Sequence, residues 1–386
     1  MGRGRRVAIV GVGRTAHRSK RPDVNWAEMF WEAASEAVND ANLTFKDIDN
    51  VVSGNMELFE GLHRNDMWLS DYIGGYLTSG FRASSGGTTG ATVGVTAMEL
   101  VASGLSDICL GIAGEKQSEG DSRLGLTYYA GPMRAMNAAP GGAISMAARA
   151  AGAYMQRTGC REEHAAMVRL RADRNACQNP KAHLKLGLSS IDDVLASKYL
   201  VTPLRFLDMC PTSEGACALI VASEEKARKI TNKPVWVVDW EVVHTQRFTF
   251  GFSGETHGLA AEAIFKKNGI TNPRQELSVV EIYDPSTYMQ LYLIESMHLC
   301  EEGEAWKLEE KGAWDRDSEC PINPSGGVIA TNAIGGTALA RMCEVALELR
   351  GDCGGYQIAG KPHLGLSTGL GHVGWTVFCL MSNALD

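Results

Sequence analysis

The chain repeats one unit, and a repeated unit leaves few folds open to it. In the first half an apolar run, Val7–Gly13, is followed by a helical pattern from Asn25 and by a second run, Val51–Met56. Ser85-Gly86-Gly87 then leads into a small-residue helical pattern that stops at Gly104, and Asp107–Ala113 is another apolar run. The second half keeps this order: a run at Val235–Val243, a helical stretch Gly258–Lys267 stopped by Asn268-Gly269, a run at Ser278–Tyr283, the loop Ser325-Gly326-Gly327, and a helical stretch Thr337–Leu349 stopped by Gly351. Short apolar runs alternating with helical stretches predict an α/β protein with buried strands. The repetition predicts two related halves, residues 1–232 and 233–386, with residues 115–205 carrying an insertion in the first. Halves that meet face to face bring the loops after corresponding strands into one cleft.

Local signals sharpen this outline. Asn25 and Glu28 stand at capping-box spacing, and Trp26, Met29, Phe30, Ala33, Ala34, Ala37 and Val38 form one apolar face behind them. Gly11 and Gly13 suggest a dinucleotide loop, but position 16 is Ala where the third glycine belongs, so a nicotinamide site is not indicated. In Arg82–Leu100 the glycines Gly86, Gly87 and Gly90 let backbone approach a ligand, and the N–H groups of the following helix favour negative charge. A tight turn ahead of a buried helix gives the same pattern. Residues 115–142, rich in Gly, Ser, Met and Tyr, predict a lid or binding loop.

Composition narrows the partners. A 386-residue chain with net charge −8, 45% hydrophobic and 21% charged residues, is an ordinary globular composition and argues against nucleic acid. The ten cysteines, from Cys109 to Cys379, contain no C-x-x-C pair, so neither a zinc ribbon nor a disulfide framework is indicated. The basic start Met1–Arg6 lacks a signal-peptide core, and no apolar run approaches the roughly 18 residues needed to span a bilayer; a cytoplasmic protein is expected.

Four stretches carry a family resemblance: Val10-Gly-Val-Gly-Arg-Thr15, Asp208-Met-Cys-Pro-Thr-Ser-Glu-Gly-Ala216, Tyr283-Asp-Pro-Ser286 and Asn323-Pro-Ser-Gly-Gly327. With them the chain resembles the thiolase superfamily over nearly its whole length, in the branch of sterol-carrier-type thiolases and thiolase-like aldolases. The resemblance implies a thiolase fold, two related α/β halves in a five-layer α-β-α-β-α arrangement, a homodimer core, coenzyme A as substrate and no metal in this chain. Gly54–Gly61 and Glu115–Asp121 further resemble thiolase-like subunits that work with a small zinc-ribbon/OB-fold partner on bulky acyl groups such as 2-benzoylsuccinyl-CoA.

The departures from the family bear on chemistry. Ser84, or Ser85 in another register, stands where the family keeps its nucleophilic cysteine; Asn332 and Ala333 replace the glycine and histidine of the activating element; Ser367 replaces the second cysteine; and Tyr283 stands where an Asn or His is usual. A serine without a base is a poor nucleophile. The glycine loop then serves as a cradle for developing negative charge, with Asn332 donating to a thioester carbonyl. Tyr283 and His372 are the expected proton carriers, with Asp284 and Ser367 beside them. The expected contacts to coenzyme A are Gly86, Gly87, Gly326, Gly327 and Gly371. His63, His257 and His363 have no supporting pattern, and Glu115-Lys116 reads as solvated charge, while Tyr128, Tyr129, Met133 and Met136 suit a pocket for a bulky acyl group. Thiolysis of a 3-oxoacyl-CoA is favoured slightly over retro-aldol cleavage of a 3-hydroxyacyl-CoA, and a non-catalytic acyl-CoA-binding scaffold is the third reading.

Overall fold

The computed structural model describes residues 4–60, 65–121, 142–244, 254–371 and 374–385. Its strands are β1 (Val7–Arg14), β2 (Asn50–Gly54), β3 (Ser79–Arg82), β4 (Ile108–Lys116), β5 (Tyr199–Val201), β6 (Leu204–Arg205), β7 (Glu214–Ser223), β8 (Val235–His244), β9 (Val279–Glu281), β10 (Leu364–Gly371) and β11 (Trp375–Ser382). The helices that position the site are α1 (Trp26–Asp40), α2 (Thr89–Ala102), α3 (Gly142–Thr158), α4 (Glu162–Gln178), α5 (Glu255–Lys267), α6 (Thr287–Ser296) and α7 (Ile334–Arg350).

The duplication read from the sequence is visible in the strand order, β3-β2-β4-β7-β1-β8-β11-β10-β9. Outward from the centre of the first half, β1 pairs antiparallel with β7 and β7 with β4; β4 then pairs parallel with β2 and β2 with β3. In the second half β8 pairs antiparallel with β11 and β11 with β10, and β10 pairs parallel with β9. The two sets join into one nine-stranded sheet through Ala8 opposite Trp236 and Ile9 opposite Val235. β5 and β6 form a separate small hairpin.

Alternation along the strands sorts their side chains between layers. Ala8, Val10, Leu110, Ile112, Ala218 and Ile220 pack with the apolar face of α1, whose seven buried residues are those expected from the sequence. Burying Met29 and Phe30, neither with any exposed surface, stabilises this layer by about 1.5–3 kcal/mol each. The alternate residues Val7, Ile9, Cys109, Cys217 and Leu219 pack on the opposite side with α2 and α7, joined by Val12, which the bulge between Ile9 and Gly11 turns to that side. α7 is buried from Gly335 to Leu349, and α2 lies against it so closely that a Cβ on Gly90 would meet the Leu339 backbone nitrogen at 2.5 Å. α5 covers the far side of the second half through Ala260, Ala261, Ile264 and Phe265. The layers are therefore α1, the first-half strands, α2 with α7, the second-half strands, and α5.

Some elements escape a sequence reading. α6 is buried on all sides from Thr287 to Glu295, so it has no amphipathic period; Ser286 caps it by accepting from Met289 N–H at 3.4 Å. β10 and β11 are buried almost throughout and β10 carries three glycines, which hides the strand pattern. Among the described residues no helix is long and apolar enough to cross a membrane.

Candidate active site

The motif that carried the resemblance is a latch. Asn323 adopts φ 51°, accepts from Ile282 N–H at 2.6 Å and donates back to the Ile282 carbonyl at 3.2 Å. Ser325 donates through its N–H and its hydroxyl to the two carboxylate oxygens of Glu281, at 3.1 and 2.9 Å, and Arg341 pairs with that carboxylate while donating to Ser325 Oγ at 2.7 Å. A Cβ on Gly326, at φ 98°, would sit 2.7 Å from Ala176 Cβ, and one on Gly327, at φ 67°, would sit 2.5 Å from Asn323 Nδ2. Both glycines are packed between α4 and the turn, away from the cavity wall where contact with coenzyme A was expected. Their work is to turn the chain so that residues 328–333 deliver Asn332.

Asn332 lies on a cavity of about 580 Å³, together with Gly87, Tyr283 and Leu370. Its Oδ1 accepts from the Thr337 hydroxyl at 3.0 Å, which fixes the amide and leaves the NH₂ group to donate to Cys210 Sγ at 3.2 Å and toward the open space. Tyr283 follows the end of β9 and is held by its own N–H donating to Thr368 Oγ1 at 3.0 Å. Its hydroxyl makes no hydrogen bond among the described residues. Burial first, then the nearby Cys210, raises its pKa, so at neutral pH it is a phenol. Its neighbour Asp284 is fully buried, accepts from Val328 N–H at 3.0 Å and from the Gln290 amide, and is raised by burial to about 7.

The glycine loop meets the cavity at Gly87, not at a serine. Ser84 Oγ donates to the Asn55 carbonyl at 3.1 Å, and Ser85 Oγ is engaged by Thr92 at 2.6 Å and by Thr88 at 3.1 Å. Neither lines the cavity. Gly86, at φ 69°, makes the turn, and Gly371 packs beneath it, where a Cβ would meet Thr88 Oγ1 at 2.9 Å and the Ser85 carbonyl at 3.3 Å. Ser367 is buried in β10, its hydroxyl unpartnered among the described residues, and it too is absent from the cavity wall. His372, His63, Tyr128, Tyr129, Met133 and Met136 lie outside the described residues.

Two groups on the wall carry no signal of their own in the sequence, and a third behind it differs from what the sequence suggests. Cys210 lines the cavity, and burial pushes its thiol up to about 12, so it is no ready nucleophile. His183 also lines the cavity and has its pKa lowered by burial, so its ring is neutral near pH 7. Glu115 is the opposite of the solvated charge expected of it. It has no exposed surface, and Oε2 accepts from Met56 N–H at 3.1 Å and Gly335 N–H at 3.0 Å. Burial, then Glu60, raises its pKa well above the carboxylate range, so a neutral acid ties the first half to the start of α7. The rest of the wall is mostly apolar, with Ile144, Leu184, Leu200, Phe206, Leu207 and Met209 on it, and Ser19, Gln117 and Thr212 as further polar groups. These positions lie far apart in the chain and have no shared spacing; only the motif around Asp208–Ala216 pointed near Cys210.

The family described as thiolase C-terminal domain-like matches residues 247–381. The chain is 28% identical to an acetyl-CoA acetyltransferase of Methanothermobacter thermautotrophicus over 96% of this chain and 98% of that protein. It is 27% identical to the benzoylsuccinyl-CoA thiolase subunit BbsB of Thauera aromatica over 94% of each. In fold it resembles the Ltp2-ChsH2(DUF35) aldolase, with TM-score 0.83 at 23% identity over 98% of each chain.

Proposed function

The chain belongs to the thiolase superfamily, and we propose that it makes or breaks the bond between the α and β carbons of an acyl-CoA, by aldol chemistry on a 3-hydroxyacyl-CoA and without an acyl-enzyme. One observation carries this reading: where the glycine loop faces the cavity it presents Gly87, which has no side chain, opposite the hydroxyl of Tyr283, which is unengaged among the described residues. In cleavage, Tyr283 accepts the proton of the C3 hydroxyl and passes its own to the departing α carbon. The C2–C3 bond breaks, the C3 oxygen becomes a carbonyl, and no free phenolate accumulates, as the raised pKa of Tyr283 requires. The Asn332 N–H not directed at Cys210 stabilises the enolate oxygen of the thioester, and helix N-terminal backbone N–H groups of the glycine loop add to it. The apolar wall suits a bulky acyl group, aromatic ones included.

Thiolysis of a 3-oxoacyl-CoA is the second reading, supported by the names of the two sequence relatives. It requires coenzyme A itself to supply the attacking thiolate, because Ser84 is turned away and Cys210 is held as a thiol. We further propose a homodimer core and a small zinc-ribbon/OB-fold partner. Association is supported by the exposed Trp68, Tyr72 and Tyr76, which precede the edge strand β3 in the chain, and Phe81 within it, and a partner by the words subunit and ChsH2(DUF35) in the names of the similar proteins.

The test is to incubate the chain, alone and with a partner encoded beside it, with a 3-hydroxyacyl-CoA lacking free coenzyme A, and separately with a 3-oxoacyl-CoA plus coenzyme A. Carbonyl product from the first mixture is expected. Turnover only in the second would replace the aldol reading with thiolysis, and acyl-CoA binding without turnover in either would leave a scaffold.

A further inference from the structure

His183 enters the cavity wall from the segment after α4, outside every motif that the resemblance rests on. Its backbone N–H donates to Thr331 Oγ1 at 3.0 Å, and Leu184 N–H donates to the Ala330 carbonyl at 3.0 Å, so this segment is pinned to the same loop that delivers Asn332. The side chain is fixed as well. His183 Nδ1 lies 2.9 Å from Ser213 Oγ, which itself accepts from Asn332 N–H at 3.0 Å. Ser213 N–H in turn donates to the Asn332 carbonyl at 3.0 Å and to Gln117 Oε1 at 3.3 Å.

This network decides which ring nitrogen carries the hydrogen. Ser213 is fully buried, so its hydroxyl hydrogen needs an acceptor. Asn332 N–H is a donor, and among the described residues His183 Nδ1 is the one acceptor within reach. Nδ1 therefore accepts, and in a neutral imidazole the hydrogen sits on Nε2. Nε2 has no partner among the described residues and is not sealed from open space, unlike the buried Nε2 of His257.

We infer that His183 is a catalytic hydrogen-bond donor: its Nε2–H binds the oxygen of the substrate that becomes negative, sharing with Asn332 the thioester carbonyl of an acyl-CoA. The inference rests on the acyl-CoA reading proposed above and adds a second donor, held to the first through Ser213. Neutral imidazole suits this role because it donates without being able to protonate the enolate oxygen outright.

The test uses the full chain labelled with ¹⁵N-histidine, with His183 assigned by the signal lost in His183→Gln. A neutral ring protonated on Nε2 at pH 7 is expected, and its Nε2–H resonance should shift when acetyl-CoA is added but not when free coenzyme A, which has no thioester carbonyl, is added. A ring protonated on Nδ1, an imidazolium, or no shift at saturating acetyl-CoA would overturn the inference. In the reaction, His183→Leu is expected to lower kcat by about 10²-fold, while His183→Gln, which keeps a donor, stays within about 10-fold of the unmodified chain. Equal rates for folded His183→Leu and unmodified chain would also overturn it. Absence of turnover by the unmodified chain on either acyl-CoA would sink the reading of function; a wrong tautomer with normal turnover would sink this inference alone.

Discussion

The hydroxyl of Tyr283 lies 3.4 Å from the point at which a side chain on Gly87 would begin. That point is also 2.5 Å from the Leu370 carbonyl, which belongs to strand backbone and cannot swing aside. Gly87→Ala must displace either β10 or the start of α2, and it is expected to destabilise the chain by about 1–3 kcal/mol and to lower kcat/KM even at temperatures where the variant is folded. Thermal unfolding followed by steady-state kinetics checks both; unchanged activity would show that the contact does not shape the site.

Ser84→Ala should be almost silent in the reaction. Its hydroxyl is spent on the Asn55 carbonyl, so the loss is about 0.5–1.5 kcal/mol of stability. Intact-mass measurement during turnover is expected to find no acyl group on Ser84. A stable acyl adduct there would restore the covalent route.

Asn332 should prove sensitive to the loss of its donors more than to its size. Asn332→Asp keeps the acceptor for Thr337 but removes both N–H donors and sets a carboxylate against Cys210, so a fall in kcat of about 10²–10³-fold is expected. Cys210→Ser, which preserves an acceptor for the amide, is expected to retain most activity. A Cys210→Ser variant as inactive as Asn332→Asp would reassign the thiol to the chemistry.

Acid stability should depend on His257. Fully buried, with Nδ1 at 3.1 Å from Thr376 Oγ1, it has its pKa lowered by burial to about 3, against roughly 6.5 when unfolded. A lowered folded pKa means that the stabilising contribution is complete above the unfolded value and is lost as pH falls from there toward 3. His17, lowered to about 3 by burial and by Arg14, adds in the same window. His257→Gln is expected to flatten the fall in stability between pH 6.5 and 3 by about 1.4 kcal/mol per pH unit. Chemical denaturation at pH 7, 5.5 and 4.5 reads the slope, and identical slopes would refute the assignment.

Much of the fold is legible in the sequence because local chemistry and tertiary role agree. α1 shows this best: its cap, its acidic third position and its apolar face all survive into the structure. The two Ser-Gly-Gly loops likewise announce the repeated unit. Legibility fails where burial is complete, since α6 and β10 have no exposed face to create a period. On the cavity wall, Tyr283, Asn332 and Gly87 are positions to which the motifs point. Ser84 and Glu115 could not be placed, because the direction of a loop hydroxyl and the burial of a carboxylate depend on Asn55, Met56 and Gly335, which come from other elements. His183 was invisible for the same reason, as its partner Ser213 is 30 residues away.

The proton relay through Tyr283 is tested by Tyr283→Phe assayed on a 3-hydroxyacyl-CoA without free coenzyme A. Loss of the relay should lower kcat by about 10²–10⁴-fold while KM and the melting temperature change little, since the hydroxyl makes no hydrogen bond among the described residues. A Tyr283→Phe variant that cleaves this substrate at the unmodified rate would contradict the assignment.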